Sequence, residues 1–239
     1  MYEYILTSWS IYGSIKIEID QTVKKMESEM TFEKFEKLPA DKQEMILAVG
    51  IKEFSHKGYN DVKTDTITQK CGISKGRLFH YFGSKKAFYI YCLEKAMDRL
   101  TEKTHQPESA DFYEILFESM GRKIAVCMKY KDEMLMVNMA TRDACADIAQ
   151  EKQQVMARYK ASIQAQSVET LSTAVAALNI KQGADKNKVV QGLYIYINAV
   201  INRYLLEYQN TPEKFFENSE KIKKEIKEYM DIMLYGVCE

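Results

Sequence analysis

Residues 63–88 of the chain read KTDTITQKCGISKGRLFHYFGSKKAF, and the spacing within this stretch decides the fold. It predicts two short helices joined by a tight turn, followed by the start of a third helix. Gly72 falls where a helix commonly ends in a left-handed residue, a conformation that glycine adopts without steric cost. Ser74 is a good N-cap for the second helix, on which Leu78 and Phe82 form an apolar stripe. The pattern therefore predicts a helix-turn-helix.

The two helices differ in what they are expected to bury. The first is predicted to begin at Thr64 and to bury Ile67 and Cys71. The second carries several side chains that packing alone does not require, namely Lys75, Arg77, Phe79, His80 and Tyr81. An outward face of this kind on the second helix of a helix-turn-helix suits the major groove of DNA.

The charge distribution supports contact with nucleic acid. Residues 57–86 contain seven cationic side chains against two anionic ones, although the whole chain balances 34 basic residues with 34 acidic ones. The seven are Lys57, Lys63, Lys70, Lys75, Arg77, Lys85 and Lys86, and the two are Asp61 and Asp65. A basic patch concentrated on a helix-turn-helix is the electrostatic pattern expected for binding to phosphate.

Gly76 interrupts the outward side of the second helix. Glycine within a helix costs up to about 1 kcal/mol relative to alanine, and at this position it fills no gap in a core. The missing side chain would let the backbone approach the floor of a groove. Alternatively, Gly76 lies in the first turn, where glycine costs little, and the neighbouring lysines are merely solvated. The agreement of spacing, charge and turn chemistry favours the DNA-binding interpretation.

The pattern GISKGxLFxYFxSKK at residues 72–86 resembles the DNA-binding signature of the TetR/AcrR family of bacterial transcription regulators. The resemblance covers about residues 39–100 and is more specific than a generic helix-turn-helix. The remainder of the chain resembles the family only in its length and its helical character. The resemblance implies a homodimer, and it implies double-stranded DNA with a palindromic operator as the partner.

The resemblance also implies a set of DNA-contacting residues. The positions that usually meet base edges are occupied by Lys75, Gly76, Arg77 and Phe79. The positions that usually meet phosphates are occupied by Thr64, His80, Tyr81 and Lys85, and Ser74 completes the predicted DNA-binding set.

The sequence departs from the family pattern at a few of these positions. The family often has tyrosine where Phe79 stands, so a hydroxyl contact is lost and contact with a thymine methyl becomes more plausible. Arg77 replaces a frequent small residue and could read guanine with two hydrogen bonds. Thr68 and Cys71 stand where alanine is common, which is a variation in packing.

Composition limits the kind of protein. The chain has 239 residues, of which 46% are hydrophobic and 28% are charged, as in a core-forming soluble chain. With only three prolines and ten glycines, long helical stretches are uninterrupted. Five cysteines without a Cys-x-x-Cys motif suggest reduced structural thiols, so neither a disulfide framework nor a zinc site is expected. No cofactor is predicted.

The sequence also indicates a cytoplasmic location. No apolar run approaches the ~20 residues of a membrane span, and the N-terminus lacks the basic and apolar regions of a signal peptide. Residues 15–20, IKIEID, alternate like a strand, but no second strand is available to pair with them. We therefore expect residues 1–30 to be a poorly ordered extension.

Beyond these first residues, the chain is predicted to be all-α. A three-helix DNA-binding domain with the helix-turn-helix is expected at residues 31–83, and a larger helical ligand-binding and dimerisation domain at residues 84–239. Helix boundaries are predicted as follows: the first helix begins with Pro39 and ends at Gly58, the fourth runs from the cap Ser84 to about His105, Ser109 and Asp185 cap later helices, and the last helix starts at residues 211–213.

The helix predicted at residues 188–208 is apolar on most of its circumference, which implies burial on more than one side. Paired by two-fold symmetry with the last helix beside it, it would form a four-helix bundle between two subunits. The family resemblance implies the same homodimer through the last two helices. The alternative is a central helix that is fully buried in a monomer.

Methionine and aromatic residues are concentrated in the middle helices. Methionine is flexible and polarizable, so it adapts to irregular gaps and to varied ligands. A pocket lined in this way would suit an apolar or amphipathic small-molecule effector. The residues predicted to line it are Phe117, Met120, Met128, Met136, Met139, Met156, Tyr159 and Tyr194; ordinary core packing is the alternative for any one of the methionines.

These features favour a ligand-responsive transcriptional repressor, which a ligand would release from its operator. One alternative is a regulator that activates transcription or responds to a protein partner. A remote alternative is an all-helical enzyme. The histidines His56, His80 and His105 form no His-Glu-x-x-His or Glu-x-x-His spacing, and no glycine-rich phosphate loop is present, so no catalytic residue is predicted.

Overall fold

The computed structural model describes residues 32–102, 109–208, 211 and 213–236, and within these ranges the chain is helical without a strand. The predicted extension at residues 1–30 lies outside the described residues. The helices are α1 Glu33–Glu36, α2 Ala40–Asp61, α3 Thr64–Lys70, α4 Lys75–Phe82, α5 Lys85–Leu100, α6 Phe112–Lys129, α7 Lys131–Arg142, α8 Ala149–Ala176 (after a 3-10 turn at Ala146–Ile148), α9 Lys186–Glu207, α10 Glu213–Glu217 and α11 Ser219–Tyr235. None of these helices is long and apolar enough to cross a bilayer.

We call residues 32–83 the head. Its helices enclose one apolar core, as the spacing of the sequence predicts for α3 and α4. Ile67, Leu78 and Phe82 are all buried, and they pack with residues of α1 and α2, among them Phe35, Ile46, Ile51 and Phe54. The short helix α1 was not predicted; it adds Phe35, whose ring lies 4.7 Å from that of Phe82.

Two turns in the head use local backbone chemistry. Gly72 has φ +62°, the left-handed conformation expected at the end of α3. Ser74 then caps α4, because its Oγ accepts a hydrogen bond from the Arg77 N–H at 3.2 Å. Gly58, at φ +71°, kinks α2 where the sequence predicted its end. Pro39 is the N-cap of α2 and not its first helical residue.

Helix α5 joins the head to the rest of the chain. Ser84 caps it as predicted, accepting from the Ala87 N–H at 3.0 Å. The helix ends at Leu100, where a helix to about His105 was expected, and residues 103–108 lie outside the described part. Gly50 of α2 allows the two helices to meet closely, since a Cβ at Gly50 would lie 2.5 Å from the Phe88 ring.

We call residues 109–236 the body. Two of its helix boundaries differ from the predictions. Asp111, and not Ser109, caps α6, because its carboxylate accepts from the N–H groups of Tyr113 and Glu114 at 2.8 and 2.9 Å. The predicted last helix is two helices, α10 and α11, separated at Asn218, whose side chain donates to the Lys214 carbonyl at 2.8 Å.

The other boundaries of the body agree with the sequence. Asp185 caps α9, as predicted, because its carboxylate accepts hydrogen bonds from the N–H groups of Asn187 and Lys188. Its carboxylate lies 3.0 Å from the Asn187 nitrogen and 3.3 Å from the Lys188 nitrogen. Helix α8 packs on both α6 and α9, and these three helices form the bulk of the body.

The buried apolar residues divide into two clusters. The first cluster runs from Phe35 to Ile163 and joins the head, α5, α7 and the N-terminal half of α8. The second cluster runs from Phe112 to Met230 and joins α6, the C-terminal half of α8 and α9–α11. The head therefore shares its core with part of the body, while the helices proposed for dimerisation pack on a separate core.

Candidate DNA-binding surface

The N-terminal edge of α4 is the exposed edge of the helix-turn-helix. Lys75, Gly76 and Arg77 are all exposed, while Leu78 and Phe82 on the opposite side of the helix are buried. Three consecutive residues therefore point to solvent with two positive charges and no bulky side chain between them. An edge of this shape can enter a major groove.

Gly76 has no packing role within the described protein. A Cβ built at this position would meet no heavy atom within 4 Å, and its φ is not positive. The absence of a side chain is therefore not required by a neighbouring residue or by the backbone conformation. A close approach to a surface outside the chain explains it better.

Arg77 is the cation of this edge whose side chain forms the fewest polar contacts. Of the seven cations counted in the sequence, Lys57 and Lys70 bind Glu53, Lys75 lies 3.1 Å from Asp65, and Lys86 lies 2.8 Å from Glu151. Within the described ranges, the side chains of Lys63 and Arg77 form neither an ion pair nor a hydrogen bond. Arg77 can therefore turn toward a base edge without breaking a contact.

The sequence analysis missed Glu53, which lies just outside the basic window. Its carboxylate is buried and accepts from Lys57 at 2.9 Å and Lys70 at 2.5 Å. The hydrogen bond from Lys70 lowers the pKa of Glu53, and the one from Lys57 lowers it further. Lys70 thus fastens α3 to α2, while Lys57 pairs with Glu53 within α2, as the spacing of four residues between Glu53 and Lys57 could have indicated.

The three ring residues of α4 that are predicted to contact DNA are placed differently. His80 is exposed, while Phe79 and Tyr81 are half-buried. Tyr81 rests on the head through its ring, whose centroid lies 6.1 Å from that of Phe35. Tyr81 is therefore oriented by packing, so its hydroxyl can be presented in a fixed direction.

Thr64 and Lys85, the outer members of the predicted phosphate-contacting set, flank this surface. Thr64 is the first residue of α3 and is buried. Lys85 is half-buried: its Nζ donates to the Asn60 carbonyl at 3.3 Å and lies 4.7 Å from the centre of the Tyr59 ring. Partial burial lowers the pKa of Lys85. Lys85 is thus held in place before any DNA is present.

A family model decides the assignment of this surface. The model described as bacterial regulatory proteins, tetR family, matches residues 46–92, which include the kink of α2, both helices of the helix-turn-helix and the start of α5. The matched residues are 47 of the chain's 239, so the likeness to the TetR family is shown for the helix-turn-helix region. The resemblance found at residues 72–86 is confirmed, as is the all-α fold with a helix-turn-helix and a larger helical part.

Two bacterial regulators are similar to a short part of this chain. The chain is 36% identical over 59 residues to the uncharacterized HTH-type transcriptional regulator YuxN of Bacillus subtilis, covering 25% of this chain and 20% of YuxN. It is 35% identical over 57 residues to the HTH-type transcriptional regulator RutR of Escherichia coli K12, covering 24% of this chain and 27% of RutR. The aligned segment is thus only about a quarter of either relative.

A solved structure extends the likeness to most of the fold. The crystal structure of a TetR-family regulator from Rhodococcus sp. superimposes with a TM-score of 0.53, covering 82% of this chain and 100% of that chain at 14% identity. At this level of identity the likeness concerns the fold alone. It includes the helices of the body, for which the sequence offers no family motif.

The residues predicted to bind an effector do not lie together. Met136, Met156 and Tyr159 belong to the first cluster or its edge. Phe117, Met120 and Tyr194 belong to the second cluster or its edge. The helical periodicity indicated which side chains face inward, but it did not indicate which of the two cores they enter.

The two remaining predicted methionines lie elsewhere. Met128 is 42% exposed on α6. Met139 is half-buried beside the kink of α2, where its Sδ would be 3.5 Å from a Cβ on Gly58. These two positions place neither side chain in the middle of the body, so the predicted effector set remains a prediction without a common cavity.

The head and the body are connected by polar contacts at the kink of α2. Asp143, which follows α7, accepts from the Tyr59 N–H at 2.8 Å, and Asp147 accepts from the Tyr59 hydroxyl at 2.6 Å. A second connection is Arg99 of α5, which binds Glu133 of α7 at 2.6 Å and also Glu44 of α2. Polar contacts therefore connect α7 and the segment after it to α2 at two places: at the kink and, through Arg99, at Glu44.

Proposed function

We propose that this chain is a transcriptional repressor that binds a palindromic operator as a homodimer and leaves it when an effector binds the body. The observation that carries the proposal is the exposed edge of Lys75, Gly76 and Arg77 on α4. It combines positive charge, a missing side chain that the protein interior does not require, and a family match over the surrounding residues.

The last helices supply the proposed dimer surface. Six of the nine large hydrophobic side chains found exposed in the described residues lie on α9 and α11, namely Ile195, Leu206, Tyr229, Ile232, Met233 and Tyr235. Helix α11 buries Ile222, Ile226 and Met230 on its other side. A helix with two apolar faces needs a packing partner on each face. In a two-fold dimer the exposed face of each subunit is covered by the same face of the other.

A two-fold dimer would present two heads to one side of a duplex. Recognition helices of such dimers meet successive major grooves about 34–36 Å apart, so an operator with two inverted half-sites matches the symmetry of the protein. The spacing between the heads then decides whether both copies of α4 can enter their grooves at once. A change in that spacing is sufficient to weaken binding.

The contacts at the α2 kink offer the route by which an effector changes that spacing. An effector that repacks α7 or α8 moves Asp143, Asp147 and Glu133, and these carboxylates hold Tyr59 and Arg99. The effector shifts the equilibrium only by its difference in affinity between the DNA-binding and released states. A tenfold preference for the released state corresponds to about 1.4 kcal/mol.

The proposal is tested by selecting binding sites from random duplex DNA with the purified chain. We expect enrichment of an inverted repeat, bound by two chains per duplex, with affinity that falls steeply as salt rises. Arg77→Ala serves as the matched variant and should enrich a more degenerate sequence. Recovery of sequences without any shared motif, or binding that is equal for all duplexes at physiological salt, would count against the proposal.

A further inference from the structure

A groove with a volume of about 590 Å³ lies between α5 and α8, and residues of α1 and its N-cap also line it. We call it the α5–α8 groove. Its volume is within the range of roughly 300–1,000 Å³ that is typical of sites for small molecules. Of the residues predicted to bind an effector, Tyr159 is the one that lines it. The groove touches both the head and the body, so an occupant would contact both.

The floor of the α5–α8 groove is apolar. The buried side chains that line it are Ile90, Tyr91, Met97, Val155 and Tyr159. Phe32, the half-buried N-cap of α1, adds a ring whose centroid lies 4.8 Å from that of Tyr91. A ligand with an apolar or aromatic body can therefore remove apolar surface from water in this groove.

Tyr91 carries a hydroxyl that forms no hydrogen bond with the described residues. The residue is only 6% exposed, and most buried polar atoms in proteins are hydrogen-bonded. Burial is the main cause that raises the pKa of Tyr91 to about 12. The charges of Glu36, Glu94 and Asp98 also raise this pKa, and because all three carboxylates line the groove, the hydroxyl lies on the groove side. A ligand in the groove can provide the missing partner.

Two ion pairs connect the walls of the groove across its width. Glu94 of α5 lies 2.5 Å from Arg158 of α8, and Lys86 of α5 lies 2.8 Å from Glu151, near the start of α8. These pairs hold the two helices at a fixed separation. They also neutralise two of the four carboxylates that line the groove.

The two other carboxylates leave a negative excess. Asp98 is exposed and lies 3.7 Å from Lys95 on the same helix. Glu36 forms no ion pair within the described ranges, and its charge acts on the Tyr91 hydroxyl. A concave site with an apolar floor and an excess of negative charge concentrates a potential that attracts cations. The vacant charge is therefore that of a cation beside Glu36 and Tyr91.

We propose that the α5–α8 groove binds an organic ammonium ion with an apolar or aromatic body. The ammonium group pairs with the Glu36 carboxylate and donates a hydrogen bond to the Tyr91 hydroxyl oxygen. The body lies against Met97 and Val155. An alcohol of the same shape keeps the apolar contacts without the charge pairing, and a carboxylate is repelled.

The inference rests on the proposed function where it names this ligand as the effector. An occupant contacts α1 of the head and α8 of the body at the same time. It therefore favours the arrangement of head and body in which both contacts are made. If that arrangement differs from the one that binds DNA, the ligand shifts the equilibrium toward release.

The experiment is calorimetric titration of the full chain, without DNA and at pH 7, with three probes that share one apolar body. The probes are 4-phenylbutylamine, 4-phenylbutan-1-ol and 4-phenylbutanoate. We expect the amine to bind at least about tenfold more tightly than the alcohol, because the groove has a negative excess and an apolar floor. The carboxylate should bind more weakly than the alcohol.

Two variants locate the ammonium group. Glu36→Gln should weaken binding of the amine about threefold to fivefold, as for an exposed ion pair, and leave binding of the alcohol unchanged. Tyr91→Phe removes only the hydroxyl and should weaken binding of the amine at least about threefold, while its thermal midpoint stays equal or rises. Glu33→Gln is the control: its carboxylate is on the same helix but pairs with Lys37 outside the groove, so this variant should bind the amine as the original chain does.

The proposal is overturned if the amine does not bind, if the amine and the alcohol bind equally, or if the carboxylate binds as tightly as the amine. It is also overturned if folded Glu36→Gln and Tyr91→Phe variants both bind the amine like the original chain. Because these titrations contain no DNA, they separate this inference from the proposed function. A chain that selects an operator but ignores the amine loses only the effector class, and a chain that binds the amine but selects no operator loses only the proposed function.

Discussion

The Tyr59 hydroxyl donates a hydrogen bond to the Asp147 carboxylate at 2.6 Å, and this bond joins the kink of α2 to the segment between α7 and α8. Burial of the ring raises the pKa of Tyr59, and the hydrogen bond to Asp147 raises this pKa further. The same ring supports Lys85, whose Nζ lies 4.7 Å from its centre. A predicted phosphate contact, a kink and a body carboxylate therefore form one chain of contacts.

Asp143 is expected to stabilise this junction. Its carboxylate accepts from the backbone N–H groups of Tyr59 at 2.8 Å and Cys145 at 3.0 Å, so Asp143→Ala leaves two N–H groups without this acceptor. We expect the free energy of unfolding to fall by about 1–3 kcal/mol, measured by urea denaturation. Asp143→Asn is the control, since its amide oxygen still accepts. Equal losses for both variants would show that charge, and not the hydrogen bonds, is what matters.

Gly58 and Gly76 should respond in opposite ways to alanine. Gly58→Ala places a side chain at φ +71°, which should destabilise the protein by about 1–2 kcal/mol. Gly76→Ala meets open space in ordinary helical backbone, so stability should stay equal or rise by up to about 1 kcal/mol. Only Gly76→Ala should weaken DNA binding while the fold remains intact. Thermal unfolding and fluorescence anisotropy on the selected duplex measure the two effects, and unchanged affinity for Gly76→Ala would contradict the proposed groove contact.

Arg77 and Lys85 should affect DNA binding in different ways. Arg77→Ala is expected to cost about 1–3 kcal/mol on the preferred duplex and to relax specificity at one base pair. Lys85→Ala should weaken binding to all DNA sequences alike. The slope of log affinity against log salt concentration should become shallower by about the contribution of one phosphate contact. Titrations of specific and scrambled duplexes at several salt concentrations separate the two. A uniform loss for Arg77→Ala would mean that it contacts phosphate.

Glu53 should make stability depend on pH in the acid range. Its pKa is lowered in the folded chain, so its stabilising effect is present above the ordinary value of 4.5 and is lost as the pH falls below it. Glu53→Gln should therefore lower the free energy of unfolding by about 1–3 kcal/mol at pH 7 and by much less at pH 3. Glu33→Gln, in an exposed pair with Lys37, is the control and should cost under about 0.5 kcal/mol.

The proposed dimer surface can be tested with one charge. Met233 is 50% exposed on α11, so Met233→Glu should leave the fold of the subunit intact and weaken the dimer. Sedimentation equilibrium should show a dissociation constant raised at least about tenfold, because the carboxylate loses water on association. Met45→Glu, on a residue of the head that is 39% exposed, is the control and should have no effect. A monomeric original chain would refute the homodimer.

The features that depend on neighbouring residues in sequence could be predicted. Gly72, Ser74, Ser84 and Asp185 all end or begin helices as expected, because turn and cap chemistry acts within about four residues. The buried stripe of α4 was predicted for the same reason. The prediction of Ser109 as the next cap was wrong: Asp111 caps α6, since both residue types cap well and only the backbone decides between them.

The features that depend on distant residues could not be predicted. Tyr59 meets Asp147 across 88 positions of sequence, and Arg99 meets Glu133 across 34, and no periodicity indicates either pair. The same limit explains why Met120 and Met136, both predicted to line one pocket, lie in different clusters. Charge counting could not show that Lys57 and Lys70 serve the interior contact with Glu53.

The close approach of Gly50 and Phe88 has a practical consequence for protein engineering. At Gly50, α2 rests on α5 with no space for even one additional carbon atom. In a chimera spliced at residue 83, α2 would come from one protein and the residue at position 88 from another, so this close contact would be made by unmatched residues. Recombinants that exchange operator preference should therefore carry α5 along with the helix-turn-helix, placing the splice beyond Leu100. The transplantable module is larger than the segment that touches DNA.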